Sequence, residues 1–538
     1  MAAADHIRMD AQLPPPDELP PPDELSPLPD EILAIILGRL SMPQRIAARA
    51  VSRRWRDVVD ATPHLWRCEQ HEHRSRIVHE FRDRCRGGDL AGAQWLVKMF
   101  GLTADDARAD DDCFYHACLA GHQAVASWLT DTFGFTAEDV RAGDNYILRS
   151  VCGNGHRDTA AWLADRFELT AEDARAVNNE ALWLACSEGH PATAAWLTAT
   201  FTLTVEDARS MNNRALRDAC GNGHRDTAAW LTATFGLSAE DARADNNAAL
   251  RAACEYGELE TAAWLATTFA LTAVDASAED NEALRAACEC GALELAQWLI
   301  VTFDLAGAAG DICRSDVLDH VCAQGGIAMA QWIIDTFGVS GDHDTPHIGC
   351  AALQGAARNG HLEMVQWIVG ILKPTQQQLA SAFESACRGG RLHVAQWLVD
   401  CTKFEESACD PRVALYYACE VNSLATAQWL VARFDIRDIR TGGILGAACS
   451  SGGVETASWL AATFGLTAED ARDEVNEALC TACADGRLNV FLFLVDTFGL
   501  SAKDVRTAIT FDPTYIIPGI RRAVAERFGI EAPAWAFH

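Results

Sequence analysis

One segment recurs along most of this chain and limits what it can fold into. Ala215 to Arg243, ALRDACGNGHRDTAAWLTATFGLSAEDAR, has close copies from the mid-80s almost to the C-terminus. Tryptophan marks the register: Trp95, Trp128, Trp162, Trp196, Trp230, Trp264, Trp298 and Trp332 stand 33 or 34 residues apart. Trp367, Trp397, Trp429 and Trp459 continue the series less evenly, and Phe493 takes the place in a last copy, giving thirteen units. A fixed period of about 20 to 50 residues is the signature of a solenoid, whose units bury their apolar faces only against one another.

Each unit reads as two helices and a connector. Leu216, Ala219 and Cys220 share one helical face, and Gly223 follows three residues after the cysteine. Glycines recur there, among them Gly121, Gly155, Gly189, Gly257, Gly325 and Gly390, as expected for a left-handed residue ending a helix. One copy has Asn422 instead, the residue next best able to take that conformation. In the second helix, Ala228, Trp230, Leu231 and Phe235 form a broad apolar stripe. The repeated tryptophans are expected in the core, so that Trp230→Ala costs about 3–5 kcal/mol. The tail, as in Leu169 to Arg175, places Asp173 three residues after Thr170, a capping box opening a short third helix.

At Ala219, Cys220, Gly223, His224, Trp230 and Leu231 the unit resembles an ankyrin repeat. The resemblance covers roughly three quarters of the chain. It departs where LTAEDAR occupies the place of the finger loop, so a short helix or turn is expected there in preference to a β-hairpin. Similar degenerate repeats occur in large DNA viruses of amoebae.

A net charge of −31 argues against a general binder of nucleic acid or anionic membrane, which needs a basic surface. Pairs such as Glu172-Asp173, Glu206-Asp207 and Glu240-Asp241 sit at helix starts, where the helix dipole favours anions. Their recurrence suits a scaffold better than acid–base catalysis. Twelve of the twenty cysteines share one register, from Cys85 and Cys118 to Cys483. Stacked helices lie about 8–10 Å apart, too far for a disulfide, so these read as buried thiols in a reducing compartment. Cys/His pairs such as Cys220 and His224, and the group Cys68, His71, His73 and His79, lack a second pair at ligand spacing, and no metal or other cofactor is expected.

Residues 1–26, with Pro-Pro-Asp-Glu-Leu duplicated, read as a disordered, acidic, proline-rich leader. Neither a secretory signal nor eighteen consecutive apolar residues occur, so no membrane partner is expected. The expected location is the cytoplasm, of the host if the protein is viral, with the nucleus also open.

Residues 27–67 form a second kind of module. Pro29, Asp30 and Glu31 suit a helix start; Ile32, Leu33, Ile35, Ile36, Leu37 and Leu40 give an apolar surface; Ser41 and Gln44 cap a second helix. Some forty residues in three short helices bury too little to stand alone and complete their core on a partner. Leu28-Pro29, Ile32-Leu33, Ile36-Leu37, Leu40, Val51 to Arg56 and Leu65-Trp66 resemble an F-box. The resemblance implies docking onto the Skp adaptor of a cullin-RING ubiquitin ligase through Leu28, Pro29, Leu33, Ile36, Leu37, Leu40 and Trp55. Gln44-Arg45 stands where Asp-Leu is frequent, which implies weakened or retuned docking.

A connecting helix is expected over 68–76, the repeat array over 77–500 and a capping segment over 501–538, which includes Tyr515, Ile520 and Phe528. Units from Trp367 to Trp459 are spaced 30 to 32 residues and lose the Thr-Ala-Glu-Asp tail. Residues just before the turn glycine vary from copy to copy, and the ankyrin resemblance places them on the concave face. The candidates for target contact are Trp183, Glu188, Arg217, Arg251, Glu255, Tyr256, Arg285 and Glu289. Only four lysines, Lys98, Lys373, Lys403 and Lys503, accompany forty arginines.

The chain therefore reads as all-α, an N-terminal three-helix F-box followed by an ankyrin-like solenoid. The expected function is the substrate-recognition subunit of a Skp-cullin-F-box ligase with no catalytic residues of its own. A non-ubiquitin scaffold, or a decoy occupying the adaptor, is the alternative.

Overall fold

The computed structural model describes residues 74–108, 112–305, 317–337, 348–402, 409–439, 443–511 and 518–528. The expectations for residues 1–67, including every adaptor-docking candidate, lie outside them, as does that for Tyr515. The chain divides into two compact units, Met1–Ala249 and Leu250–His538. Every described element is helical, with no strand among the described residues.

In the first unit the repeat resolves as short helix, first helix and second helix: Ala171–Ala174, Ala176–Ser187 and Pro191–Phe201, then Val205–Ala208, Ser210–Gly221 and Arg225–Phe235. Successive first helices pack on one another, Ala137–Gly153 on Ala176–Ser187 and that on Ser210–Gly221. Leu216, Ala219 and Cys220 are fully buried there, as the apolar periodicity demands. Helix Arg74–Arg86 already belongs to the array, because Ile77, Phe81 and Cys85 are buried on its inner face.

The tryptophans correct the sequence expectation. Trp95 is buried, but Trp128, Trp162, Trp196 and Trp230 are only half-buried. Ala228 and Leu231, three residues apart, face the core. Trp230 is one position off that line, about 100° around the helix, and falls on its flank. There its ring meets Phe235 edge-on, with centroids 6.2 Å apart and planes at 83°. The same perpendicular pair recurs as Trp162–Phe167 and Trp196–Phe201.

Two turns punctuate each unit. The turn glycines are left-handed, with φ of 75° at Gly121 and 74° at Gly155, and a Cβ at Gly155 would lie 2.6 Å from the ring of His190. Where a histidine follows the turn glycine, as at His156, His190 and His224, it fills the space that the preceding copy's glycine leaves open. The second turn was not read from the sequence. Val177, Asn178 and Asn179, like Met211, Asn212 and Asn213, are consecutive left-handed residues that kink the start of the first helix, just after the short one. Asparagine tolerates this region better than most residues, and the Asn179 N–H donates to the Arg175 carbonyl at 3.1 Å.

In the second unit the pattern continues with Ala278–Glu289 and Leu293–Phe303. The half-buried tryptophan recurs at Trp264, Trp298, Trp332, Trp367, Trp397, Trp429 and Trp459. The shorter spacing near Trp397 has a local cause: Thr375 and Gln378 cap the single helix Gln376–Arg388, with no separate short helix before it. Asn422 takes φ 54° in place of glycine, and its Oδ1 accepts a hydrogen bond from Thr456 at 2.7 Å. At the end, Ala502–Phe511 packs on Asp473–Ala484, and Pro518–Phe528 packs on Leu488–Phe498 with Ile520 and Val524 buried.

Candidate recognition surface

The frame that carries the variable side chains is held by a ladder of ion pairs. At Asp173, Asp207, Asp241 and Asp504 the aspartate accepts from the residue that opens its own helix and also receives an arginine from the preceding copy. Asp173 accepts the Thr170 N–H at 2.7 Å and Arg141 Nε at 2.9 Å. Asp207 accepts Thr204 N–H and Arg175 Nε, each at 2.7 Å. Asp241 accepts Ser238 N–H at 2.8 Å and Arg209 Nε at 2.7 Å. In the second unit Asp504 takes Ser501 N–H at 2.7 Å and Arg472 Nε at 2.9 Å.

These are two-pronged arginine–carboxylate contacts, the strong kind. Burial raises the Asp173 and Asp207 carboxyls, yet the arginines and the capping donors together hold them below the usual range. The Arg209 guanidinium, working against burial and with the Ser238 donors, holds Asp241 down to about 2. Charged groups this firmly engaged are structural. The signal in the sequence was the spacing, an arginine 32 residues before each aspartate.

The cysteines of the shared register are free and buried, and burial pushes the Cys186 and Cys419 thiols up to about 12. Such thiols are inert. Among the described residues no group of three or more His, Cys, Asp or Glu side chains is placed to hold a metal ion. No described helix is long and apolar enough to cross a membrane.

The candidate target contacts fall into two classes. In the first unit Glu188 is exposed at the end of its helix, while Trp183 and Arg217 are half-buried. The Arg214 guanidinium lies 3.6 Å from the Trp183 ring centroid, and Arg217 Nε donates to Asp218 at 3.0 Å. In the second unit Glu255, Tyr256 and Glu289 are exposed, Tyr256 by 63%. Arg251 and Arg285 are half-buried, and Arg285 pairs with Glu282. Trp183, Arg217 and Arg285, each three residues before a cysteine of the shared register, are thus engaged within the protein. The residues just before the glycine are open.

Sequence reasoning missed a further cluster in the first unit. Tyr115 stacks on Tyr146 with centroids 5.4 Å apart, Arg149 lies over Tyr146, and Arg149 pairs with Glu180. Tyr146, Val177 and Met211 leave large apolar surfaces exposed nearby in the fold's first helices and turns. The signal available was the change of type at one repeat position, Val177 and Met211 becoming Asp245 and Glu279.

Comparison with known proteins adds an N-terminal assignment. Residues 25–68 match the family described as F-box-like. No curated protein matches the chain. Among solved structures it is similar to the pentatricopeptide repeat protein PPR10 from maize, at 15% identity over 91% of this chain and 78% of that one, with a TM-score of 0.30. It is also similar to a circular tandem repeat protein with novel repeat topology and enhanced subunit contact surfaces, at 13% identity over 89% of this chain and 98% of that one, with a TM-score of 0.11. The chain thus joins an F-box-like segment to an all-α array of helical repeats.

Proposed function

We propose that the chain is the substrate-recognition subunit of a Skp-cullin-F-box ubiquitin ligase. Its F-box-like segment docks the Skp adaptor through Leu28, Pro29, Leu33, Ile36, Leu37, Leu40 and Trp55, and its ankyrin-like repeats hold the target protein. The observation that carries this reading is the F-box-like match at residues 25–68, directly followed by the repeat array. Family members of this kind contribute binding and leave catalysis to the ligase, in line with an array whose carboxylates and thiols are committed to its own structure.

The target lies against residues that vary within the fixed frame. Glu188, Glu255, Tyr256 and Glu289 are the exposed contacts, and Trp183, Arg217, Arg251 and Arg285 support them. Residues 501–538 close the end of the array. The protein works in the cytoplasm, where its many thiols stay reduced.

The test is capture from a host-cell lysate, comparing the wild-type chain with Leu28→Ala/Pro29→Ala and scoring the Skp adaptor and the cullin. Recovery of both by the wild type alone supports the reading. Absence of both from the wild type overturns it and leaves a scaffold that works through the repeats alone.

A further inference from the structure

The kinks that open the first helices carry the residues that the fold explains least. At the first left-handed position of successive copies in the first unit stand Gly143, Val177, Met211 and Asp245, with φ of 59°, 50°, 52° and 53°. Glycine fits this conformation and a β-branched residue fits it badly, because its Cβ crowds the backbone. Val177 and Met211 recover little from packing in return, being 43% and 47% exposed. Asp245 and, in the copy after it, Glu279 keep the same kink with a polar side chain. Exposed apolar side chains held on a strained backbone mark a contact surface.

The surface is continuous from copy to copy. The Ser210 hydroxyl donates to the Asn178 carbonyl at 2.8 Å, which joins the Met211 kink to the Val177 kink. Arg149 Nη2 donates to the Gly143 carbonyl at 2.8 Å while Nη1 pairs with Glu180, which joins the preceding copy to the same row. Tyr146, 49% exposed and stacked on Tyr115, extends the apolar face into that copy.

The charges around this row favour one sign of partner. The nearby arginines are already engaged, Arg149 with Glu180, Arg175 with Asp207, and Arg214 and Arg217 with Asp218. Glu138, Asp144 and Glu172, on the short helices and kinks of the same copies, are exposed and form no salt bridge with a described residue. The rim is therefore acidic, like the chain as a whole with its net charge of −31, and complements a basic segment. Spacing sets the conformation of that segment. Stacked helices lie about 8–10 Å apart and an extended chain advances about 3.3 Å per residue, so an extended segment laid along the row meets a new copy every third residue.

We propose that Tyr146, Val177 and Met211 form a docking surface for an extended, basic peptide segment of a target protein. Apolar side chains at every third position of the segment seat on these residues, and lysines or arginines between them face the acidic rim. The row ends where Asp245 follows Met211. This surface deepens the target-binding part of the proposed function and does not depend on the adaptor, which the test leaves out.

The test titrates fluorescent synthetic peptides of about twelve residues with the full chain and follows polarisation. One peptide repeats Leu-Lys-Ser, a second has the same composition with its leucines grouped together, and a third repeats Leu-Glu-Ser. The variants are Val177→Asn/Met211→Asn, which suits the left-handed backbone, and Tyr146→Ala. Melting curves confirm that each is folded, and should one fail to fold, the other decides. The expected result is saturable binding of the Leu-Lys-Ser peptide by the wild type, about tenfold or more tighter than of the other two peptides and weakened about tenfold or more in each folded variant. No saturable binding by the wild type, equal binding of the grouped or the acidic peptide, or undiminished binding by a folded variant overturns the proposal.

Discussion

Asp241→Asn isolates one rung of the ladder that joins neighbouring copies. The wild-type carboxylate is 6% exposed and holds Ser238 N–H at 2.8 Å, Arg209 Nε at 2.7 Å and Arg209 Nη2 at 3.0 Å. These contacts move its pKa from the model-compound value of 3.8 to about 2. At about 1.4 kcal/mol per pH unit, the ionised form contributes about 2 kcal/mol to the folded state. Because the folded value is depressed, this contribution is complete above the unfolded value of 3.8 and is lost as pH falls from there towards 2. The variant is therefore expected to lose about 2 kcal/mol at neutral pH, with the deficit shrinking below about pH 4. Each interface in a repeat array is a nearest-neighbour contribution, so the loss should concentrate in helices Ser210–Gly221 and Ala239–Ala242. Urea unfolding at several pH values, paired with hydrogen exchange on those helices, measures both. An undiminished deficit at low pH, or protection lost evenly along the chain, would show that the Arg209–Asp241 pair is not what couples these copies.

Further outcomes follow from the same geometry. Gly155→Ala places a methyl group 2.6 Å from the His190 ring at φ 74° and is expected to cost about 2 kcal/mol or more in chemical unfolding, with His190→Ala recovering only the steric part. Leu231→Ala should cost about 3 kcal/mol or more and Trp230→Ala about 1–3, since the leucine is fully buried and the larger ring is not; the opposite order in unfolding experiments contradicts the core assignment. Under native conditions an aromatic disulfide reagent should modify the exposed Cys290 and Cys401 first and leave Cys186, Cys220 and Cys254 unreacted until the array unfolds, as peptide mapping would show.

Periodicity made the helical frame legible, because the spacing of Leu216, Ala219 and Cys220 admits only one buried face. The capping boxes were legible for a similar reason: Thr170 and Asp173 act within four residues of each other. What escaped was non-local or stereochemical. Trp230 looks like a core residue by type, but its position one step off the Ala228–Leu231 line decides its burial. The role of Arg175 depends on a carboxylate 32 residues away, so no window of a single helix reveals it. Left-handed Asn178 and Asn179 sit within what reads as continuous helical sequence, and only their asparagine pair hints at the turn. Among the candidate contacts, exposure at Glu188 and Tyr256 followed from their place beside the turn. The half-burial of Trp183 and Arg217 depends on neighbours, Arg214 and Asp218, whose reach the pattern does not encode.

If the F-box-like segment docks an adaptor while the repeats do separate work, the two should be separable by substitution. The most direct measurement mixes the purified full-length chain with purified Skp adaptor and determines complex formation by calorimetry, beside Leu28→Ala/Pro29→Ala and Tyr256→Ala. A stoichiometric complex formed by the wild type and by Tyr256→Ala, and lost in Leu28→Ala/Pro29→Ala, is the predicted result. No complex with the wild type, or one that the Leu28→Ala/Pro29→Ala variant forms equally well, would contradict it.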